Sequence, residues 1–289
     1  MRYQGNVFRP PSEAGSLILQ ATLGCSYNRC TFCAMYRDTA FRVRPLEELA
    51  EDIREARAVY GPGLRRVFLA DGDALILKSE RLHAVLDLLE EAFPGLNRVG
   101  AYATPQSLLR KSVEELRRLK ERRLSILYLG VESGSDEVLR RLNKGVDAER
   151  IVEAGRRAVE AGMKLSTMII LGAGGKELRR EHARDSAEVL NRIAPRFIST
   201  LSMMVVPGTP LHEEMLAGRY TPPTPRQTLE EERELIAGLE VRGAIFRSNH
   251  VSNFLPLGGT LPKDKAALLA QLDAALAGPL PEAFGIQGF

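Results

Sequence analysis

Cys25, Cys30 and Cys33 are the only cysteines in the chain, and they fall within nine residues, in the stretch GCSYNRCTFCAMY from Gly24 to Tyr36. Three clustered thiols cannot pair off, and neighbouring ones make poor structural disulfides. Thiolates are soft ligands that suit zinc or an iron–sulfur cluster. A structural zinc asks for a fourth ligand at fingerlike spacing. His83, His182, His212 and His250 all lie far along the chain, and no second CxxC exists. Three thiolates on a four-iron cluster would instead leave one iron open to a small molecule. The bland alternative is three incidental thiols, each acting as a small hydrophobe.

Other chemistry-bearing residues recur at regular positions. Asp71, Gly72 and Asp73 form DGDA with Ala74, and Thr104 and Gln106 belong to TPQS. Glu132 and Ser133 open ESGS, and Lys144 sits in NKG. Gly172 and Gly174 lie in GAGGKE, and PGTP spans Pro207 to Pro210. GAGGKE is not a phosphate loop, because it lacks GxxxxGK[ST] and a complete GxGxxG.

The elements that would position these residues alternate. Buried-type strands are expected at SLILQAT, RRVFLAD, LNRVGAYA, LSILYLGV, KLSTMIILG and FISTLSMMVV. Between them lie helical patterns, among them PLEELAEDIREARAVYG, with Pro45 as start and Gly61 as stop. Ser79 is expected to cap a helix, and Ser112 with Glu115 to form a capping box. Further helices are expected over 136–142, 147–161, 177–193, 228–239 and 263–277, with AIFRS as a short strand. Six successive βα units imply an α/β fold with a parallel sheet and right-handed crossovers. The pattern does not separate a doubly wound sheet from a barrel. Chemistry in such folds gathers at the carboxyl ends of the strands, and every motif named above falls at such an end or just beyond the helix that follows it.

The cysteine cluster after the first strand, Phe32 before the last Cys, the DGDA motif, GVESGS, NKG and the Gly-rich turn together resemble the radical S-adenosylmethionine (radical SAM) superfamily. The resemblance covers Leu17 to Pro210. It is similar to the branch of oxygen-independent coproporphyrinogen oxidases, methylthiotransferases and related iron–sulfur oxidoreductases. The spacing here is C-x4-C-x2-C, one residue longer than the usual C-x3-C-x2-C.

The resemblance implies a partial (β/α)6 TIM-like barrel with a C-terminal helical and loop extension. It implies a [4Fe–4S] cluster on Cys25, Cys30 and Cys33, with S-adenosylmethionine (SAM) chelating the open iron. Phe32 would lie against the adenine. Asp71, Gly72 and Asp73 would receive the methionyl amino group, Glu132 and Ser133 the ribose region, and Lys144 the SAM carboxylate. Gly172 and Gly174 would let the backbone approach the adenine, with Thr104 and Gln106 as further SAM contacts. The implied reaction is reductive cleavage of SAM to a 5′-deoxyadenosyl radical that abstracts hydrogen from a small-molecule substrate. An electron donor such as flavodoxin or ferredoxin would be the partner.

The chain has 289 residues, 44% hydrophobic and 27% charged, with 40 Lys+Arg against 37 Asp+Glu. That balance does not mark a nucleic-acid binder. The RRLKERR run, Arg117 to Arg123, reads as a solvated helix face, and His212 as a helix-surface residue. No apolar run approaches the roughly 18 residues of a membrane span, and no signal peptide is visible, so a cytoplasmic, reducing setting is expected. The Pro-rich YTPPTPRQ, Tyr220 to Gln227, is the natural joint. It divides 1–219, the barrel with its lead-in, from 220–289, an extension covering it. In that extension Asn249, His250 and Asn253 are candidate substrate contacts, or else parts of a loop that satisfies its own backbone. With all three cysteines assigned, none remains for an auxiliary cluster, and no corrinoid or RNA-binding domain is evident. Two other readings stay open: an RNA-modifying radical SAM enzyme, and a non-enzymatic protein whose three cysteines form a structural metal site.

Overall fold

The computed structural model describes residues 1–279. Ten strands follow in order: β1 (Leu17–Gln20), β2 (Thr22–Leu23), β3 (Arg42–Val43), β4 (Arg66–Ala70), β5 (Arg98–Ala103), β6 (Leu124–Glu132), β7 (Lys164–Leu171), β8 (Phe197–Ser202), β9 (Ile245–Ser248) and β10 (Leu257–Thr260). The helices are α1 (Leu46–Tyr60), α2 (Ser79–Ala92), α3 (Pro105–Leu109), α4 (Val113–Glu121), α5 (Asp136–Arg141), α6 (Ala148–Glu160), α7 (Gly175–Ile193), α8 (Pro210–Leu216), α9 (Pro225–Gly238) and α10 (Lys265–Ala277). Residues 280–289, the end of the expected extension, lie outside the described residues.

The chain divides into two compact units, one of residues 1–29, 33–130 and 153–166, the other of 30–32, 131–152 and 167 onward. The division crosses β6 and β7, and the carboxyl ends of both belong to the second unit.

In the first unit β1, β4, β5 and β6 pair in parallel in that order. The β4 residues Val67 to Ala70 and all of β1 are buried, which explains runs without alternation. Helices α1 and α2 bury Leu49, Ile53 and Ala56, and Leu82, Val85, Leu86 and Leu89. Each large apolar side chain so buried contributes about 1.5–3 kcal/mol. Gly61 ends α1 at φ +67, and the Ser112–Glu115 capping box opens α4. At the amino ends of the strands Glu13 is fully buried, accepting from Arg98 and from the Tyr128 hydroxyl. Phe68, Tyr102 and Tyr128 stack edge to face beside it.

In the second unit the strand order is β7, β8, β9, β10. β9 runs parallel to β8, and β10 antiparallel to β9. The stretch after Tyr220 therefore contributes two strands as well as helix and loop: β9, the expected AIFRS strand, and β10, which the sequence reading did not include. Its prolines are not a slack joint. Tyr220 is buried, Thr221 O accepts Lys176 N–H at 2.8 Å, and Pro225 starts α9 behind a Thr224–Gln227 capping box.

Three local expectations change. Ser79 is the first residue of α2 rather than its cap, and its hydroxyl donates to Glu115 at 2.7 Å. TPQS is the start of helix α3, with Thr104 as N-cap. α7 begins at Gly175, two residues earlier than expected, because Gly172 to Gly174 already turn the chain into it. The hairpin strands β2 and β3, helix α8 and strand β10 have no counterpart in the sequence reading, being too short to show a period.

Candidate functional site

In the first unit the chain leaves β1 through Gly24, whose φ is +72 and where a Cβ would lie 2.8 Å from Thr39 O. Asp71, directly after β4, accepts the Gly24 N–H at 3.0 Å and the Gln20 amide at 3.2 and 3.3 Å. Asp73 accepts Ser26 Oγ at 2.6 Å, Thr104 Oγ1 at 3.0 Å and the Thr104 N–H at 3.3 Å. The two carboxylates thus grip the residues on either side of Cys25. Between them the Gly72 N–H bonds Gly24 O at 3.2 Å. A Cβ on Gly72 would lie 2.8 Å from Cys25 Cβ and 2.9 Å from the Tyr36 ring, so this approach requires glycine.

Both carboxylates are buried. Burial raises their pKa, and the hydrogen bonds from neutral donors pull it back only in part. Thr104 serves twice, bonding Asp73 and capping α3. Gln106 is half-buried on that helix, and Cys25 and Cys33 are partly buried.

In the second unit Cys30 is also partly buried. Thr31 is pinned on both sides, its N–H to Leu142 O at 2.9 Å and its carbonyl to Leu211 N–H at 3.1 Å. Phe32 packs on the core of Val138, Leu142, Ile170 and Ala173. Glu132 adopts φ +67, a conformation uncommon for a residue with a Cβ. Its carboxylate accepts Lys144 Nζ at 2.8 Å, with both side chains nearly out of solvent. The two candidates are therefore brought together. Ser133 Oγ accepts the Ser135 N–H at 3.0 Å and builds the turn.

Helix α7 holds that turn. Gly134 donates to Ser186 Oγ at 2.9 Å, and Ser135 Oγ lies 2.9 Å from Glu181. A Cβ on Gly134 would lie 2.1 Å from Asp185 O. His182 Nε2 meets the Glu132 carbonyl at 3.1 Å, and its Nδ1 faces Glu231 Oε1 at 3.0 Å.

The turn after β7 is held just as closely. Gly172 has φ +83, donates to Glu231 Oε1 at 2.8 Å, and accepts from the Tyr220 hydroxyl at 2.9 Å. Gly175 is the other left-handed residue of the turn, at φ +64. Gly174 is right-handed, and a Cβ on it would crowd Leu178 at 3.1 Å. Burial opposes charge on His182, but Glu231 outweighs it and raises the pKa.

Of the substrate candidates, Asn253 is fully engaged. Its amide donates to Thr200 O and Ser248 Oγ and accepts from Ser202 N–H at 2.7 Å. His250 Nδ1 accepts the Ser252 N–H at 3.1 Å, which places the ring proton on Nε2. Asn249 is exposed on the same loop.

Sequence reasoning missed Tyr36, His182, Tyr220 and Glu231. His182 carried a signal, because it lies on the α7 stripe of Ser186 and Leu190. Glu231 sits in LEEERE and reads as solvated.

The family model for the radical SAM superfamily matches residues 19–185, more than half of the chain. The chain belongs to the radical SAM superfamily. It is 25% identical over 199 residues to the heme chaperone HemW of Bacillus subtilis, which covers 68% of this chain and 51% of that protein. It is 28% identical over 218 residues to the tRNA-2-methylthio-N(6)-dimethylallyladenosine synthase of Bordetella avium, covering 70% and 44%. The chain thus spans about half the length of these curated relatives. Among solved structures it resembles coproporphyrinogen III oxidase (HemN) from Escherichia coli, at TM-score 0.56 and 19% identity over 77% of this chain and 51% of that one. It also resembles methylornithine synthase (PylB), at TM-score 0.54 and 17% identity over 92% and 83%. These likenesses show the fold, a partial TIM-like α/β barrel.

Radical SAM proteins are enzymes that use a [4Fe–4S] cluster and SAM, and the residues here fit both. The Tyr36 hydroxyl is buried beside Cys25, Cys33 and Asp71 with no hydrogen-bond partner, an open donor at the cysteine loop. Asp71 and Asp73 have only neutral groups bonded to them. Among the described residues no group of three or more His, Cys, Asp or Glu side chains could hold a metal ion. Among the described residues no helix is long and apolar enough to cross a membrane.

Proposed function

We propose that this radical SAM enzyme binds its cluster through Cys25, Cys30 and Cys33 and acts on a small-molecule substrate. The observation that carries the reading is the pair of buried carboxylates, Asp71 and Asp73, gripping both sides of Cys25. They hold the loop in shape and leave negative charge where an amino group would dock. Glu132, Ser133 and Lys144, with Gly172 and Gly174, frame the rest of SAM, and Phe32, Thr104 and Gln106 support it. Cluster and SAM together supply reductive cleavage to a 5′-deoxyadenosyl radical that takes hydrogen from the substrate.

Within this reading residues 1–219 carry the cofactor machinery, and 220–289 add substrate contacts. His250, with its Nε2–H, and the neighbouring Asn249 are the groups on the loop with capacity to spare. Asn253 shapes that loop. A flavodoxin or ferredoxin is the electron source, and the setting is cytoplasmic.

Anaerobic reconstitution with iron and sulfide, followed by dithionite and SAM, should yield 5′-deoxyadenosine. A fully loaded protein that makes none would refute the reading. Cys30→Ala should abolish the visible absorbance of the thiolate-ligated cluster, and an unchanged spectrum removes Cys30 from the ligand set.

A second reading, modification of RNA, draws support from the relatives named as tRNA methylthiotransferases and from the tRNA-2-methylthio-N(6)-dimethylallyladenosine synthase. Steep salt-dependent tRNA binding would favour it.

A further inference from the structure

Gly172 engages both of its backbone polar groups with residues from the later part of the chain, the N–H with Glu231 and the carbonyl with Tyr220. Both lie beyond residues 19–185, the range of the family match. Glu231 continues to His182, and His182 to the Glu132 carbonyl. One buried connection therefore joins the turn after β7 to the end of β6.

We propose that His182 and Glu231 are positioning residues for SAM, tying the Gly172–Gly175 turn to the Glu132 strand end so that both present their backbone in one fixed arrangement. The inference rests on the reading of those two turns as parts of the SAM site.

Three features support it. A carbonyl can only accept, so His182 Nε2 donates to the Glu132 carbonyl, while Nδ1 faces Glu231 Oε1 at 3.0 Å. The charged groups around the ring are Glu231 from α9, Glu132 with its partner Lys144, and Asp185 on α7 itself. A buried ion pair is weak evidence for stability, because apolar residues of similar volume often do as well. Its retention here fits a role in geometry. Glu132 also holds a left-handed conformation that a side chain disfavours, and a bond to its own carbonyl is a direct way to keep it there.

The test uses the cluster-loaded full chain under anaerobic conditions, with SAM binding followed by equilibrium dialysis. A second readout is the change that SAM causes in the electron paramagnetic resonance spectrum of the reduced cluster. Glu231→Gln alone leaves His182 buried without the carboxyl group it faces, so the main variant is the double substitution His182→Gln with Glu231→Gln, which replaces both members of the pair. Iron and sulfide content should match wild type. The Kd for SAM should rise about tenfold, as for loss of one to two hydrogen bonds. The spectral change should return at high SAM, and saturating SAM should restore the rate of SAM cleavage. Tyr220→Phe, which removes only the hydroxyl on the Gly172 carbonyl, should raise the Kd roughly threefold and serves if the double variant does not fold. A folded, loaded variant with wild-type affinity overturns the positioning role. Wild-type protein that binds no SAM at all overturns instead the reading of the turns as the SAM site.

Discussion

Asp71 and Asp73 are held by neutral donors alone, whereas Glu132 is paired with a lysine and Glu231 faces a histidine. Asp71, Asp73 and Glu132 sit at strand ends and Glu231 on helix α9, and all four are buried. In the first region the partners are a glutamine amide, backbone N–H groups and the hydroxyls of Ser26 and Thr104. In the second they are Lys144 on Glu132, and the His182 ring and the Gly172 N–H on Glu231. The lesson is electrostatic. A carboxylate bonded to neutral donors keeps its attraction for an arriving cation, while one already paired has spent it on internal geometry. On the proposed reading the first region receives charge and the second holds shape.

Lys144→Met attacks the second region and has the largest expected effect. It leaves Glu132 buried without its cation, and stability should fall by about 3–5 kcal/mol in chemical denaturation at neutral pH. A loss of under about 1 kcal/mol, the value of a surface pair, would break the contrast. Asp71→Asn attacks the first region and should cost less, about 1 kcal/mol, because the remaining amide oxygen can still accept the Gly24 N–H. A loss as large as that of Lys144→Met would mean that Asp71 is paired more strongly than its neutral partners suggest.

The smallest effect is one of pH. Glu232 neighbours Glu231 but has no cation. Burial pushes its pKa up to about 7, against hydrogen bonds from Ser248 and Thr200. The folded state thus binds a proton more tightly than the unfolded chain does. The stabilising contribution is full below the unfolded carboxylate range and declines as pH rises through about 7. Glu232→Gln should therefore raise the melting temperature at pH 8 and change it little at pH 5. An equal change at both values would show that Glu232 does not titrate there.

Much of the scaffold was legible. The βα alternation, the Gly61 stop and the Ser112–Glu115 box follow from local periods and caps, which sequence displays directly. The cysteine loop and the DGDA motif were legible because their residue types are restricted by chemistry. What escaped is the use made of each group. Glu132 and Lys144 stand twelve residues apart, and nothing local says that they pair. Glu231 looks like any charge in an acidic run, since its burial depends on a helix packed from elsewhere. Tyr220 hides in a proline-rich stretch whose composition suggests a linker, yet its ring is buried and its hydroxyl engaged.

The spacing of these contacts along the chain also sets an order of assembly. The clasp on the cysteine loop joins residues 47 apart, and Thr104 adds its bonds to Asp73 across 31. The turn at Gly172 waits for Glu231, a further 59 residues on. As the chain emerges from a ribosome, with earlier parts folding first, the clasp around Cys25 can close by the time Thr104 is out. The Gly172 turn still lacks its anchor until more than a hundred residues later. The segment around Cys25 is thus clasped well before the turn proposed to meet SAM has its anchor, and the newborn chain passes through a stage in which the first holds its shape and the second does not.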